Sequence, residues 1–374
     1  MVYGKENSFK EMIHPIIVIG VTHHNTLGML RCIGMAGYHV DCLIMTDGKS
    51  NGFVAHSRFV KRTVACDSNQ PVVDILKHYE NESQKPIIIT CTDNAASELD
   101  ECYDEIKDKF LFFNAQKSGQ VTRFMDKQAQ VMLAKECGMK VPFSREYDGS
   151  LDGIPYPCLL KHVQSINGGK WVKVCNNAKE VEEAINENDE RDRVLVQEYI
   201  KKEYEIVVLG VSVNGSVCIP GYILKHREFD GGTNYSTVYP IDDKTVKLKD
   251  KCIALVKEIG YEGLFGVEFI FNGNDFYFIE INLRNDATTY AMAVAGVNLP
   301  GMYIKAKTES TLLPINEPKV RTIHSIVEFN DLKHRKQYGV SILRWCKELL
   351  GAKCKYYFEL DDPMPFFLAP FKNH

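Results

Sequence analysis

Short apolar runs alternate with helical stretches over the first third of the chain. Residues Pro15 to Gly20 read PIIVIG and lead through polar positions to Gly28. A run of that kind fits a buried parallel strand, apolar on both faces, that feeds a helix. The helix is expected from about Thr26 to Met35, stopping at Gly37. His39 to Met45 and Pro86 to Thr90 repeat the strand, and Phe110 to Phe113 repeats it once more. Strands alternating with helices imply a parallel sheet in an α/β domain. Ligands of such sheets bind past the carboxyl ends of the strands, here Thr22 to Asn25 and Thr90 to Asn94.

The pattern changes after about Asn114. Asp126 can cap a helix running through Lys135, and Gly138 can end it. A strand at Cys158 to Lys161, a loop holding Gly168 and Gly169, and a strand at Trp171 to Val174 follow. A charged helix from about Ala178 to Asn186 leads to a strand at Val194 to Ile200. Beyond Glu203 the pattern is antiparallel. Glu205 to Val213 and Ser216 to Leu224 flank Asn214-Gly215, a strong hairpin signal. A helix at Lys251 to Ile259 precedes a second hairpin, Leu264 to Phe271 and Phe276 to Leu283. Another helix begins near Ala287 and ends at Gly296. The remaining residues carry mixed signals and are read as a covering segment. There is no internal repeat and no low-complexity tract.

Composition narrows the function. A chain of 374 residues suggests two or three packed domains. A net charge of −4 offers no broad basic field for nucleic acid. The twelve cysteines form no C-x-x-C pair, and Cys32, Cys42, Cys91, Cys158, Cys175 and Cys218 sit within or beside apolar runs, so thiols in a reducing compartment are expected. The first residues are polar, which does not make a signal peptide, and no apolar run approaches the ~20 residues that span a bilayer. The expectation is a cytoplasmic protein without a membrane partner.

The candidate chemistry lies in Phe276-Tyr277-Phe278-Ile279-Glu280-Ile281-Asn282-Leu283-Arg284. Side chains alternate across a strand. Tyr277, Ile279, Ile281 and Leu283 are therefore expected in the core, with Glu280, Asn282 and Arg284 in a row on the other face. Carboxylate and amide oxygens suit Mg²⁺, and arginine matches phosphate with a planar fork. The plainer alternative is a solvated edge strand. A second carboxylate, Glu268, lies on the preceding strand. A two-residue loop of Gly273-Asn274 would pair it with Ile279. A three-residue loop ending at Asp275, or an equivalent bulge, would pair it with Glu280, as a metal site requires.

Other residues fit the same chemistry less specifically. Lys127 sits in the first turn after Asp126, and Lys161 ends a strand before the Gly168-Gly169 loop. Glycines let a backbone approach phosphate closely. Val196 to Ile200 is read as an edge strand whose main chain can bind adenine, with Glu205 accepting ribose hydroxyls. His23, His24 and His162 are read as structural or surface groups, although His23-His24 lies at a strand end.

These elements in this order resemble the ATP-grasp superfamily. Met125-Asp126-Lys127 before a helix ending in Gly138-x-x-Val141-Pro142 is similar to the opening of its nucleotide-binding lobe. Pro157 to Lys161 is similar to its second phosphate lysine, and Val196 to Ile200 followed by Glu205 to its adenine hinge and ribose carboxylate. Glu268, Glu280, Asn282 and Arg284 match its closing metal-and-phosphate signature. The resemblance covers about residues 110–300. More weakly, Asp361 to Pro365 is similar to tails of carboxylate–amine ligases such as D-aspartate ligase.

The resemblance implies an ATP-grasp fold, α/β and α+β, with an N-terminal Rossmann-like domain over 1–113. A small lobe would span 114–200, a large lobe 201–315 and a covering segment 316–374. It implies that Lys127 and Lys161 bind the α- and β-phosphates, and that Gln197, Glu198, Tyr199 and Ile200 hold adenine. Glu205 would bind ribose. Glu268, Glu280 and Asn282 would hold Mg²⁺, with Mn²⁺ as an alternative. Arg284 would stabilise the transferring phosphoryl group, Lys225 would reach the γ-phosphate, and the Gly168-Gly169 loop would act as a lid. Asp286 is read as the cap of the helix at about Ala287, with contact to a cationic amine as the alternative. The implied reaction joins a small-molecule carboxylate to an amine through an acyl phosphate, with a homodimer as the default assembly. Rival readings are an ATP-grasp enzyme with another acceptor (carbamoyl-phosphate-synthase-like or an amino-sugar ligase) and a non-catalytic nucleotide-binding regulator. A nicotinamide oxidoreductase is disfavoured, because residues 20–28 lack G-x-G-x-x-G.

Overall fold

A computed structural model describes residues 14–67, 70–162, 171–188, 193–229, 231–313 and 318–371. The apolar runs of the first third become β1 (Ile16–Gly20), β2 (Cys42–Met45), β4 (Ile87–Thr90) and β5 (Leu111–Phe112). A strand not anticipated, β3 (Thr63–Ala65), completes a sheet of order β3-β2-β1-β4-β5. Every pairing in it is parallel. Ile16 to Ile19 are wholly buried because helices cover both faces. The first helix, His24–Met35, follows β1, and the helix Asp93–Glu101 follows β4. Both therefore begin at the carboxyl ends of central strands.

A four-stranded sheet comes next, with β6 (Ser144–Glu146), β7 (Cys158–His162), β8 (Val172–Cys175) and β9 (Val194–Glu198) in the order β6-β9-β7-β8. β9 lies between β6 and β7, so the expectation of an edge strand is corrected. The three polar residues of β6 carried no strand pattern. The expected glycine loop, with Gly168 and Gly169, lies outside the described residues.

The third sheet has seven strands in the order β14-β13-β10-β11-β12-β15-β16. These are β10 (Tyr204–Val213), β11 (Ser216–Phe229), β12 (Gly232–Pro240), β13 (Gly263–Phe271), β14 (Phe276–Asn282), β15 (Ile323–Ile326) and β16 (Cys354–Lys355). Asn214-Gly215 turns the β10–β11 hairpin as expected, with both residues at positive φ. β11 runs five residues beyond its expected end, and β12 was not anticipated. Residues 316–374 do more than cover: β15 and β16 extend this sheet at one edge. All twelve cysteines are free thiols. No helix among the described residues is long and apolar enough to cross a membrane.

Candidate active site

β13 and β14 pair from Phe271–Phe276 through Phe269–Phe278, which leaves a four-residue loop, Asn272 to Asp275. The three-residue loop is therefore corrected. That register alone would set Glu268 against Ile279. A bulge intervenes, Ile279 is left out of the ladder, and Glu268 pairs with Glu280. The bulge also shifts the phase of the strand. Phe278, Ile281 and Leu283 enter the core, whereas Tyr277 and Ile279 stay half-exposed. The expected core placement of those two is thus overturned, while Glu280 and Asn282 keep the shared face.

A cavity of about 630 Å³ opens beside this row, a volume suited to a small organic ligand. Lys127, Lys225, Glu268, Glu280, Asn282 and Arg284 all border it. Asp126 caps the helix Lys127–Glu136 by accepting from the amides of Gln128 and Ala129. Gln130, one turn on, locks that helix to β14. Its Nε2 donates to the carbonyl of Ile281 at 3.1 Å, and its Oε1 accepts from the amide of Ile281 at 3.0 Å. The lock brings Lys127 Nζ to 3.6 Å from Glu280. Nothing in the sequence marked Gln130, because its partner is a backbone 151 residues away.

Lys225 lies within β11, not after a strand as expected, and is buried. Its ammonium contacts Glu268 at 2.7 Å, Glu205 at 2.8 Å and Glu228 at 3.3 Å. Burial opposes its charge, but Glu268, Glu205 and Glu228 overcome this and hold its pKa above the usual lysine range. Burial likewise works against ionised Glu205, yet Lys225 and Lys202 hold it at about 2. For Glu268, burial prevails and raises the pKa, with Glu280 adding to the rise and Lys225 opposing it. The ribose candidate Glu205 and the metal candidate Glu268 are thus joined through one cation. Glu228, the third acid, was not foreseen.

Lys161 is buried, and burial followed by repulsion from Lys127 pushes its pKa down to about 8. Its Nζ donates to Oε1 of Gln197 at 2.9 Å, and Nε2 of Gln197 donates to the hydroxyl of Ser144 at 2.8 Å. The side chain of Gln197 is therefore engaged in holding Lys161. The amides of Glu198 and Tyr199 donate to the carbonyls of Phe143 and Pro157. Ile200 follows just past the end of β9. Lys161, Gln197 to Ile200 and Glu205 do not border the cavity itself.

Arg284 forks onto Asp93, at the first position of its helix, with Nε to Oδ1 at 2.6 Å and Nη2 to Oδ2 at 3.2 Å. It also donates to the carbonyl of Asn285 and to Oδ1 of Asn282. The sequence marked Thr90 to Asn94 as a ligand-facing segment without singling out Asp93. Asp286 does not cap a helix at Ala287. It accepts from the amide and hydroxyl of Thr288, closing a turn, and the helix begins at Thr289. His23 caps the first helix and borders the cavity. Its protein surroundings, and then Arg284, lower its pKa. His24 is buried.

The donor set fits a hard divalent cation. Glu268 and Glu280 are cross-strand partners, and Asn282, which donates to Glu268 at 3.3 Å, adds an amide oxygen. Among the described residues no group of three or more His, Cys, Asp or Glu side chains is placed to hold a metal ion by itself. Two carboxylates with an amide suit an ion that keeps waters and takes phosphate oxygens.

A family model described as an ATP-grasp domain matches residues 127–296. The chain carries an ATP-grasp domain. It is 32% identical over 190 residues to the formate-dependent phosphoribosylglycinamide formyltransferase of Tolumonas auensis, covering 46% of this chain and 47% of that one. It thus spans about half the length of the curated relatives it matches. Among solved structures, N5-carboxyaminoimidazole synthetase from Staphylococcus aureus superposes with a TM-score of 0.69 at 16% identity, covering 89% of this chain and 88% of that one. An L-amino acid ligase from Bacillus licheniformis gives 0.64 at 15% identity, with 83% and 79% covered. The ATP-grasp fold therefore extends over most of the chain, with the parallel sheet of β1 to β5 as its Rossmann-like N-terminal part.

Proposed function

We propose that this chain is an ATP-dependent ligase that joins a small carboxylate to an amine through an acyl phosphate, in the cytosol. The observation that carries the reading is the pairing of Glu268 with Glu280 beside Asn282, Arg284 and Lys127 in one cavity. We assign the nucleotide to the lobes over 114–200 and 201–315. Lys127 and Lys161 bind its phosphates, Gln197 to Ile200 flank adenine, and Glu205 takes ribose. Glu268, Glu280 and Asn282 would hold Mg²⁺, which neutralises phosphate charge when bound. Lys225 acts by positioning Glu205 and Glu268, since its ammonium is already held by carboxylates. Free thiols suit a reducing compartment.

In the first step a carboxylate oxygen attacks the γ-phosphorus, the bond to the β-phosphate oxygen breaks, and ADP leaves with the electron pair. Arg284 stabilises the charge on the transferring group. In the second step the amine nitrogen attacks the acyl carbon. A C–N bond forms and phosphate leaves with the C–O pair. Of the two protons lost from an ammonium substrate, one goes to phosphate and one to solvent.

The test is scrambling of the β,γ-bridging oxygen in ¹⁸O-labelled ATP, with Mg²⁺ and single carboxylates but no amine. The panel includes formate, on which the relative from Tolumonas auensis depends by name, and amino acids, after the ligase from Bacillus licheniformis. Scrambling with one acid and not with others is expected. Failure of the chain to bind Mg·ATP would end the ligase reading.

A further inference from the structure

The cavity has a second half, away from the residues assigned above to the nucleotide. It lies past the carboxyl ends of β1 and β4, where His23, Asn25 and Asp93 border the same space as Arg284 and Asp286. This is the ligand position of open parallel sheets.

Its charges point to one class of ligand. Asp93 and Asp286 are acids. His23 is uncharged at neutral pH, because its protein surroundings and Arg284 lower its pKa. Among the described residues that border this half, Arg284 is the cation, and Asp93 fills its fork at 2.6 and 3.2 Å. A planar two-point contact with a carboxylate is also how a guanidinium would hold a substrate acid or its acyl phosphate. Asp93 therefore occupies the place of an anionic ligand of Arg284. When that ligand arrives, Asp93 must give up the fork, and an acid is left facing the cavity beside Asp286. An ammonium group satisfies it. A phosphate would add about two negative charges there at neutral pH. Lys127 already adjoins Glu280, and Lys225 is held by three carboxylates.

We propose that this half of the cavity receives the amine substrate as an unphosphorylated ammonium compound, recognised by Asp93 once Arg284 has turned to the activated acid. The proposal rests on the ligase reading above and names its acceptor class. It also orders the reaction, since the amine subsite is completed by the acid.

The test uses the full chain with Mg·ATP and the panel of carboxylates. Amines are supplied in matched pairs: ethanolamine and phosphoethanolamine, glucosamine and glucosamine 6-phosphate, serine and phosphoserine. ADP release above the acid-only background is read, and binding of a fluorescent ATP analogue is measured alongside. The expected result is amine-dependent release in which the unphosphorylated member of a pair has a kcat/KM higher by about tenfold or more. Asp93→Asn should raise KM for the amine by about tenfold and lower KM for the acid, because Arg284 loses a competitor. Asp93→Glu should recover part of the amine affinity. A purely structural role for Asp93 would not move the two KM values in opposite directions. Preference for the phosphorylated member, no amine-dependent release from a chain that binds nucleotide, or an unchanged amine KM in Asp93→Asn would each overturn this proposal alone. Loss of nucleotide binding in the wild-type chain would overturn the ligase reading beneath it.

Discussion

Glu268 and Glu280 stand directly opposite each other on β13 and β14 because Ile279 is bulged out of the ladder between them. Like charges at paired positions destabilise a sheet unless a cation intervenes. Lys225 and Lys127 partly serve, at 2.7 Å from Glu268 and 3.6 Å from Glu280. A divalent ion delivered with ATP would do so more strongly. Thermal unfolding should therefore shift upward with Mg²⁺ and nucleotide together, and Glu280→Gln should remove that shift. The same variant should lose about a hundredfold or more in kcat while its circular dichroism stays native. Turnover within a factor of a few of wild type would show that Glu280 is not a metal ligand.

The proposed phosphate role of Lys161 predicts nucleotide binding that weakens in alkali. Burial and Lys127 depress its pKa to about 8, so the ammonium is present below that pH and lost above it. A charge-assisted bond to phosphate is worth about 1.5–3 kcal/mol. Affinity for ADP, measured by calorimetry with metal chelated, should fall by roughly tenfold between neutral pH and well above 8. Lys161→Met should bind weakly at both ends of that range. A wild-type affinity flat across it would remove Lys161 from the phosphate site.

Local signals were legible in the sequence and distant ones were not. The cap Asp126 and the stop Gly138 act within one helix, and both are found as expected. The parallel strands announced themselves because burial on both faces demands unbroken apolar runs. β11 ran past its expected end because Lys225 and Arg227 look like solvent residues. They stay buried in the sheet by pairing with Glu268, Asp331 and Glu348, all remote in sequence. Asp93 and Gln130 escaped for the same reason, since their partners Arg284 and Ile281 lie 191 and 151 residues away. The bulge at Ile279 was reachable because a metal site requires the carboxylates together, whatever the loop length.

Lys225 should matter to stability as much as to chemistry. Lys225→Met would leave Glu268 without its cation, and Glu205 and Glu228 with Lys202 alone, and stranding a buried ion costs about 3–5 kcal/mol. The pH dependence has a definite sign. Lys225 and Lys202 outweigh burial and hold Glu205 at about 2, below the carboxylate value of 4.5. Its contribution is thus complete above 4.5 and disappears as pH falls toward 2. Denaturant unfolding across that window should show wild type losing stability more steeply than Glu205→Gln. Parallel curves would mean that the contacts of Glu205 with Lys225 and Lys202 add nothing.

Two neighbouring aspartates near the end of the chain should behave in opposite ways. Asp362 is buried against Arg31, each 1% exposed, with Oδ2 at 3.1 Å from Nε. It also accepts from the hydroxyl of Ser57 and from the amide of Arg58, both at 2.9 Å. Arg31 spends its other donors on the carbonyls of Tyr356, Tyr357 and Asp362. The tail is thereby clasped to the first helix, which carries His23 and Asn25 at its start, beside the proposed amine subsite. Asp362→Ala removes the charge that faces Arg31, leaving the guanidinium only its carbonyl partners, and takes the acceptor from the Ser57 hydroxyl and the Arg58 amide. The cost should reach about 3–5 kcal/mol in denaturant unfolding. Asp361 is exposed, and its main-chain carbonyl accepts from Arg58. Asp361→Ala should change stability by less than about 0.5 kcal/mol. Equal effects of the two substitutions would mean that the tail is held by its backbone and apolar contacts, and that the buried ion pair contributes no net stability.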